Sequence, residues 1–369
     1  MAQLGFGLMR LPRKDGNFDD EQIKAMVDAF LAAGFDYFDT ANAYWGSEET
    51  ARRTLVERYP RSRFRLATKL PGWALQKKED VEFFFNQSLT RCGVDYFDYY
   101  LLHSMENDRA HLMNYREFGC FDFCRRMKEE GKVKKWGFSF HDTPALLDEL
   151  LTEYPDCDFV QLQINYADWE SKLTQARALY EIAVRHDKQI IVMEPVRGGT
   201  LANLPPDAEA IFREADPNVS NASWALRFVA SLPNVDVILS GMSTLAQMED
   251  NLRTFADLHP LSESERETVF RVRDVILGKP TVPCTGCGYC VEGCPMEIPI
   301  PAVFLSLNHA AVYDVNDRGY FNYTKATDDL KHGVDTCIRC GQCESVCPQH
   351  ISIMDEIQRI PEVFARYMK

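Results

Sequence analysis

Over roughly its first 260 residues the chain switches eight times between a short apolar run and a segment of helical periodicity, and this alternation limits the fold more than any other feature. The apolar runs are LGFGLMR (4–10), FDYFDT (35–40), FRLATKL (64–70), DYFDYYLLH (95–103), VKKWGFSF (133–140), FVQLQIN (159–165), QIIVMEP (189–195) and VDVILSG (235–241). Between them, segments such as DEQIKAMVDAFLAAG and SKLTQARALYEIAVRH repeat apolar residues at three and four, as helices covering a sheet require. Such alternation over about 250 residues predicts a (β/α)8 TIM barrel. A doubly wound sheet is the alternative. It would normally carry GxGxxG after the first strand, and GFGLMR breaks that pattern.

In such barrels chemistry sits at the carboxyl ends of the strands. Three strands end in polar residues that a buried sheet otherwise avoids, namely Asp39 in YFDT, Lys69 in LATK and His103 in YYLLH, and Tyr44 follows the first of them. Singly, each has a structural reading: a turn former, a snorkelling lysine, a satisfied core histidine, a loop aromatic.

Together DTANAYWGSEE, LATKLP and YYLLHS, in this order and at these strand ends, resemble the catalytic motifs of the aldo/keto reductases over roughly residues 1–260. The resemblance implies reversible hydride transfer between NADP(H) or NAD(H) and a small-molecule carbonyl or alcohol, with Asp39, Tyr44, Lys69 and His103 as catalytic residues. The chemistry asks for these types. A reduced carbonyl leaves an oxyanion, so Tyr44 is the proton donor. A lysine ammonium about 4 Å away would favour the tyrosinate by up to about 4 kcal/mol at an effective dielectric of 20, or roughly three pKa units before desolvation is deducted. Lys69 is expected to draw Tyr44 toward neutrality, with Asp39 as counter-ion and His103 orienting the substrate oxygen. Ser47, Glu48 and Glu49 read as a helix N-cap with acids in its first turn.

The same resemblance places the nicotinamide carboxamide at Ser139 and Gln161. It places the pyrophosphate along EPVRGGTL, at Pro195, Arg197, Gly198 and Gly199, and the adenosine along SGMSTLAQMEDN, at Gly241, Ser243, Gln247 and Asn251. Two residues depart from the family pattern. Phe140 stands where an asparagine is usual, and Met193 replaces the aromatic that stacks on the nicotinamide, although a thioether still packs against a ring.

Behind the barrel, CTGCGYCVEGCP and CIRCGQCESVCP each read CxxCxxCxxxCP. Two-residue gaps let three thiolates of one tight loop converge on a cube of iron and sulfur, and Gly286, Gly288 and Gly341 permit the turns. Zinc sites instead pair two CxxC knuckles at longer separation. The duplicated run resembles the bacterial two-cluster 4Fe-4S ferredoxin domain over roughly residues 280–352, interrupted by a 42-residue insert between Cys294 and Cys337. That resemblance implies two 4Fe-4S clusters with exchanged fourth ligands: Cys284, Cys287, Cys290 and Cys347 for one, Cys337, Cys340, Cys343 and Cys294 for the other. A helix is expected at 301–312 in the insert. Cys92, Cys120, Cys124 and Cys157 read as packing residues.

The expected organisation is a barrel (1–260), a linking helix (261–280) starting near Ser262 or Ser264, a small α+β ferredoxin-like 4Fe-4S domain (281–352) and a C-terminal helix (353–369). A formal net charge of −14 and no long basic stretch argue against nucleic acid or an anionic membrane surface as partner. No apolar segment approaches the roughly 18 residues of a spanning helix, and the N-terminus lacks signal-peptide zones, so the expected location is cytoplasmic. Hydride carries two electrons and each cluster passes one, so a flavin or a ferredoxin-like or flavoprotein redox partner fits beside the nicotinamide. Two other readings stay open: an electron-transfer protein whose barrel docks a partner, and clusters that only fold the tail.

Overall fold

The computed structural model describes residues 2–105, 111–171, 174–279, 281–282, 284, 288–313, 317–327, 330–347 and 349–368. It divides into two compact units, residues 1–202 with 217–269, and residues 203–216 with 270–369. The division falls inside the helix Glu263–Leu277.

In the first unit eight parallel strands close a barrel: β1 (Gln3–Gly7), β2 (Tyr37–Asp39), β3 (Arg65–Pro71), β4 (Phe97–Met105), β5 (Val133–Phe140), β6 (Phe159–Gln163), β7 (Gln189–Met193) and β8 (Val235–Ser240). Each pairs with the next in sequence, and β1 pairs with both β2 and β8. Side chains alternate across a strand, so every second residue points inward. Tyr37, Ala67, Tyr99, Leu101, Phe159, Ile191, Val237 and Leu239 fill the interior, with Met193 packed against them. Space for these rings comes from Gly137, where a Cβ would overlap the Phe159 carbonyl oxygen, and from Gly5, where it would stand 2.7 Å from Leu239 and Val237.

Two residues further along, the same inward phase carries polar side chains. Asp39 follows Tyr37, Lys69 follows Ala67, Ser139 follows Gly137 and Gln161 follows Phe159. The barrel floor is thus apolar and its carboxyl-end layer polar.

Helices cover the outside as the periodicity demands. Asp20–Ala32 is capped by the Asp19 carboxylate, which accepts from the Gln22 N–H, and it buries Ile23, Met26, Val27, Phe30 and Leu31. The linking helix starts with a capping box: the Ser262 hydroxyl accepts from the Glu265 N–H at 3.3 Å, and Glu265 returns an acceptor to the Ser262 N–H at 2.8 Å.

In the second unit the insert forms helices Ile300–Tyr313 and Asp317–Ala326. Val303, Phe304 and Leu307 share a core with Ile353, Ile357, Ile360 and Phe364 of the tail. The tail is two short helices, Ile353–Ile357 and Arg359–Val363, where one was expected. Pro361 has no N–H to donate to the Ile357 carbonyl, so the first helix cannot run on. Among this unit's described residues the regular elements are helices. No helix among the described residues is long and apolar enough to cross a membrane.

Candidate active site and the cysteine-lined hollows

A cavity of about 450 Å³ opens at the carboxyl ends of the strands. Asp39, Tyr44 and His103 line it, and Lys69 lies behind them, buried to 1% exposure. The lysine ammonium donates to the Asp39 carboxylate at 2.5 Å and to the Thr40 carbonyl at 2.7 Å. It stands 4.9 Å from the centre of the Tyr44 ring, and the Tyr44 and His103 rings meet edge-on at 5.7 Å. Four side chains from three segments therefore converge on one space.

Burial works against the Lys69 ammonium, but the Asp39 charge and Tyr44 outweigh it, and its pKa ends above the ordinary lysine value. Tyr44 corrects an expectation. Lys69 does pull its phenol down, yet burial is the larger effect, and Asp39 and Glu194 add negative charge beside it, so the pKa lies above the ordinary tyrosine value. The phenol is held protonated at neutral pH.

Ser139 and Gln161 are both buried at the edge of the cavity. The Ser139 oxygen accepts from the Ser104 N–H at 2.8 Å, which leaves its own hydrogen to donate. The Gln161 amide donates to Asp39 across the barrel at 3.3 Å, tying the candidate carboxamide site to the ion pair. Met193 and Pro195 line the cavity, as do Gly198 and Gly199, whose φ values of 62° and 95° belong to the left-handed region that glycine tolerates. Gly241, Ser243, Gln247 and Asn251 line it as well. There the Gln247 side chain accepts from the Ser243 N–H at 2.8 Å, and Asn251 donates to the Ser240 hydroxyl at 2.6 Å.

Arg197 does not line the cavity. Its guanidinium turns to the buried Asp168 carboxylate at 3.2 Å, a partner 29 residues earlier in the chain. Ser47 also departs from expectation. Gly46, at φ 73°, caps the short helix Ser47–Ala51, while the buried Ser47 hydroxyl joins Thr40 at 2.7 Å and the Leu8 carbonyl at 3.0 Å. Glu48 is buried against the Thr68 hydroxyl at 2.7 Å.

Two residues that the motifs did not single out, Arg10 and Tyr115, take part. Arg10 lines the cavity, and so does Glu194. Arg10 ends an apolar run, which is the one signal that would have marked it. Tyr115 had no local signal. Its buried hydroxyl lies 2.9 Å from the Leu70 carbonyl and 2.7 Å from the His103 carbonyl, and it accepts from the Gly72 N–H at 2.9 Å, so it joins the ends of β3 and β4. A Cβ on Gly72 would collide with its ring.

The second unit holds two hollows. Cys294, Cys337, Cys340 and Cys343 line one, beside Ile298, Ile300 and Ile357. Cys284, Cys290 and Cys347 line the other, beside Phe304, Ile351 and Ile353. Cys287 lies outside the described residues. In the two runs Gly288 and Gly341 occupy equivalent places, share φ 81° and cap equivalent short helices, Tyr289–Glu292 and Gln342–Ser345. The Arg339 N–H points at the Cys337 sulfur at 3.4 Å. Among the described residues no three His, Cys, Asp or Glu side chains form a single-ion site. The four other cysteines are buried, and burial pushes the Cys120 and Cys157 thiols up to about 12, so they pack and do not react.

The model of the aldo/keto reductase family matches residues 3–273. The chain belongs to the aldo/keto reductase family. Residues 282–351 match a second model, the 4Fe-4S dicluster domain. Among curated relatives, an aldo-keto reductase of Mycobacterium sp. (strain JLS) is 32% identical over 38% of this chain. The chain spans only 46% of that relative's length. One from Mycobacterium avium (strain 104) is 28% identical over 69% of this chain and 81% of its own length. Among solved structures, a holo aldo-keto reductase from Bacillus halodurans covers 73% of this chain and 91% of its own, with a TM-score of 0.58 and 22% identity. One from Klebsiella pneumoniae, solved in complex with NADPH, has the same TM-score and identity and covers 73% of this chain and 90% of its own. At that identity the likeness to solved aldo-keto reductases is one of fold.

Proposed function

We propose that the barrel reduces a small-molecule carbonyl with NADPH or NADH, reversibly, and that the eight motif cysteines hold two 4Fe-4S clusters that exchange electrons with a redox partner. The observation that carries the first half is the convergence of Asp39, Lys69, Tyr44 and His103 on one cavity. Ser139, Gln161, Gly198 and Ser243 line the same cavity, which supplies a dinucleotide with polar contacts within a mostly apolar wall.

Nicotinamide, when bound, supplies the hydride. The residues supply the rest. Ser139 and Gln161 hold the carboxamide. His103 holds the substrate oxygen beside Tyr44, and Tyr44 gives it the phenolic proton as the oxyanion develops. Lys69 stabilises the phenolate left behind, and Asp39 keeps Lys69 charged and aimed.

The grouping of thiols supports the second half. One hollow gathers Cys337, Cys340 and Cys343 with Cys294 of the other run, and its counterpart gathers Cys284 and Cys290 with Cys347. This is the exchanged pattern of two-cluster ferredoxins, within an apolar shell. Such clusters pass single electrons. Cys340 is exposed, which sets this hollow close to the surface and to an outside carrier.

Anaerobic titration with NADPH and NADH, followed by turnover against an aldehyde and ketone panel, tests the reading. Nucleotide binding with turnover that fails in Tyr44→Phe supports it. No binding and no turnover sinks it. Clusters that resist reduction at accessible potentials would leave them a folding role only.

A further inference from the structure

Arg10 owes its position to its neighbours. Leu8 and Leu11 are buried on either side of it, and the Ser243 hydroxyl donates to its carbonyl at 2.7 Å. Gly241 lies against the arginine stem, where even a Cβ would make only ordinary contact at 3.8 Å. The side chain therefore reaches across between the loops after β7 and β8. Its guanidinium donates to the Gly198 carbonyl at 2.7 Å and lies 3.3 Å from the Glu194 carboxylate.

Among the described residues that line the cavity, Arg10 is the one permanent cation. Lys69 is committed to Asp39, and Arg197 faces Asp168. We infer that Arg10 anchors the pyrophosphate of the bound dinucleotide, with Glu194 as its resting partner. The inference rests on the dinucleotide reading above and assigns the charge that the Gly-rich loop lacks.

A guanidinium fork matches two phosphate oxygens at once. Its contact with Glu194 is long, and both side chains are one-third exposed, so water and anions compete for it readily. The bond to Gly198 keeps the fork beside a loop whose glycines leave the backbone bare, and a Cβ on Gly199 would meet nothing within 4 Å. An entering pyrophosphate has space there, takes the fork from Glu194 and meets no other lining cation.

Binding separates this role from a structural one. NADPH, NADH and dihydronicotinamide riboside, which has no phosphate, are titrated against wild type, Arg10→Met and Arg10→Lys by nicotinamide fluorescence at several salt concentrations. Arg10→Met should weaken both dinucleotides by about tenfold or more and hold the riboside within about twofold, as expected for loss of a charge-assisted hydrogen bond. Arg10→Lys should fall between, and the salt dependence of dinucleotide binding should flatten in Arg10→Met. Dinucleotide binding unchanged in Arg10→Met overturns the inference. So does an equal loss of riboside, which would mark Arg10 as a strut of the loops. Failure of the wild type to bind either dinucleotide removes the functional reading itself, a result distinct from both.

Discussion

The Lys69 ammonium, at the end of β3, lies 2.5 Å from the Asp39 carboxylate at the end of β2, and both side chains are 5% exposed or less. Breaking a buried pair by removing one partner strands the other charge, so Asp39→Asn should cost about 3–5 kcal/mol. The pH dependence has a definite sign. In the wild type Lys69 has a raised pKa, so its contribution is present below the ordinary lysine value and lost as pH rises through the folded value. Without Asp39, burial lowers that pKa instead. The deficit of Asp39→Asn against wild type should then be largest near neutrality and shrink at alkaline pH, read by denaturant unfolding at a series of pH values.

Tyr44→Phe should lower the carbonyl-reduction kcat by about 10²- to 10⁴-fold, the range for loss of a general acid. Dinucleotide binding should be retained. Retained turnover would favour a barrel that only docks a partner.

A phenol held above its ordinary pKa donates across neutral pH. Reduction should stay flat there and fall only at alkaline pH, as Tyr44 loses its proton, while alcohol oxidation rises over the same range. Glu194 pushes the phenol up, so Glu194→Gln should move both limbs to lower pH. A limb that shifts upward or stays fixed would detach Glu194 from the proton donor.

Tyr115→Phe removes the hydroxyl that joins Leu70, Gly72 and His103. Leaving a buried backbone group unpaired costs about 1–3 kcal/mol. We expect a lower melting temperature together with a lower kcat, because His103 is no longer held. A loss of stability at unchanged kcat would confine Tyr115 to the fold.

If the fourth ligands are exchanged between runs, Cys294→Ser should damage the same cluster as Cys340→Ser, and Cys347→Ser the same cluster as Cys284→Ser. Iron content and electron paramagnetic resonance of anaerobic protein should show roughly half the clusters lost in each single variant. The double variant Cys294→Ser with Cys340→Ser should resemble either single. Loss of both signals in that double variant would mean that each run holds its own cluster.

Local pattern was enough for much of this molecule. Short apolar runs set between helical periods are written in neighbouring residues, so the eight strands were legible, and so was the placing of Asp39, Lys69 and His103 at strand ends. Motif spacing marked the eight cysteines in the same way. The tail helix was misjudged at Pro361, although its missing N–H was there to read.

Partner choice and desolvation belonged to the folded chain alone. Two arginines near the cavity look alike in sequence, yet Asp168 captures Arg197 and the loops after β7 and β8 direct Arg10 across the opening. Gln161 reaches Asp39 over a separation of 122 residues. The sign of the Tyr44 shift was likewise undecidable beforehand, since the pull of one lysine can be read from a motif but the burial opposing it sums over atoms from the whole barrel. Periodicity is a property of adjacent residues, whereas an electrostatic environment is a property of everything that packs around a group.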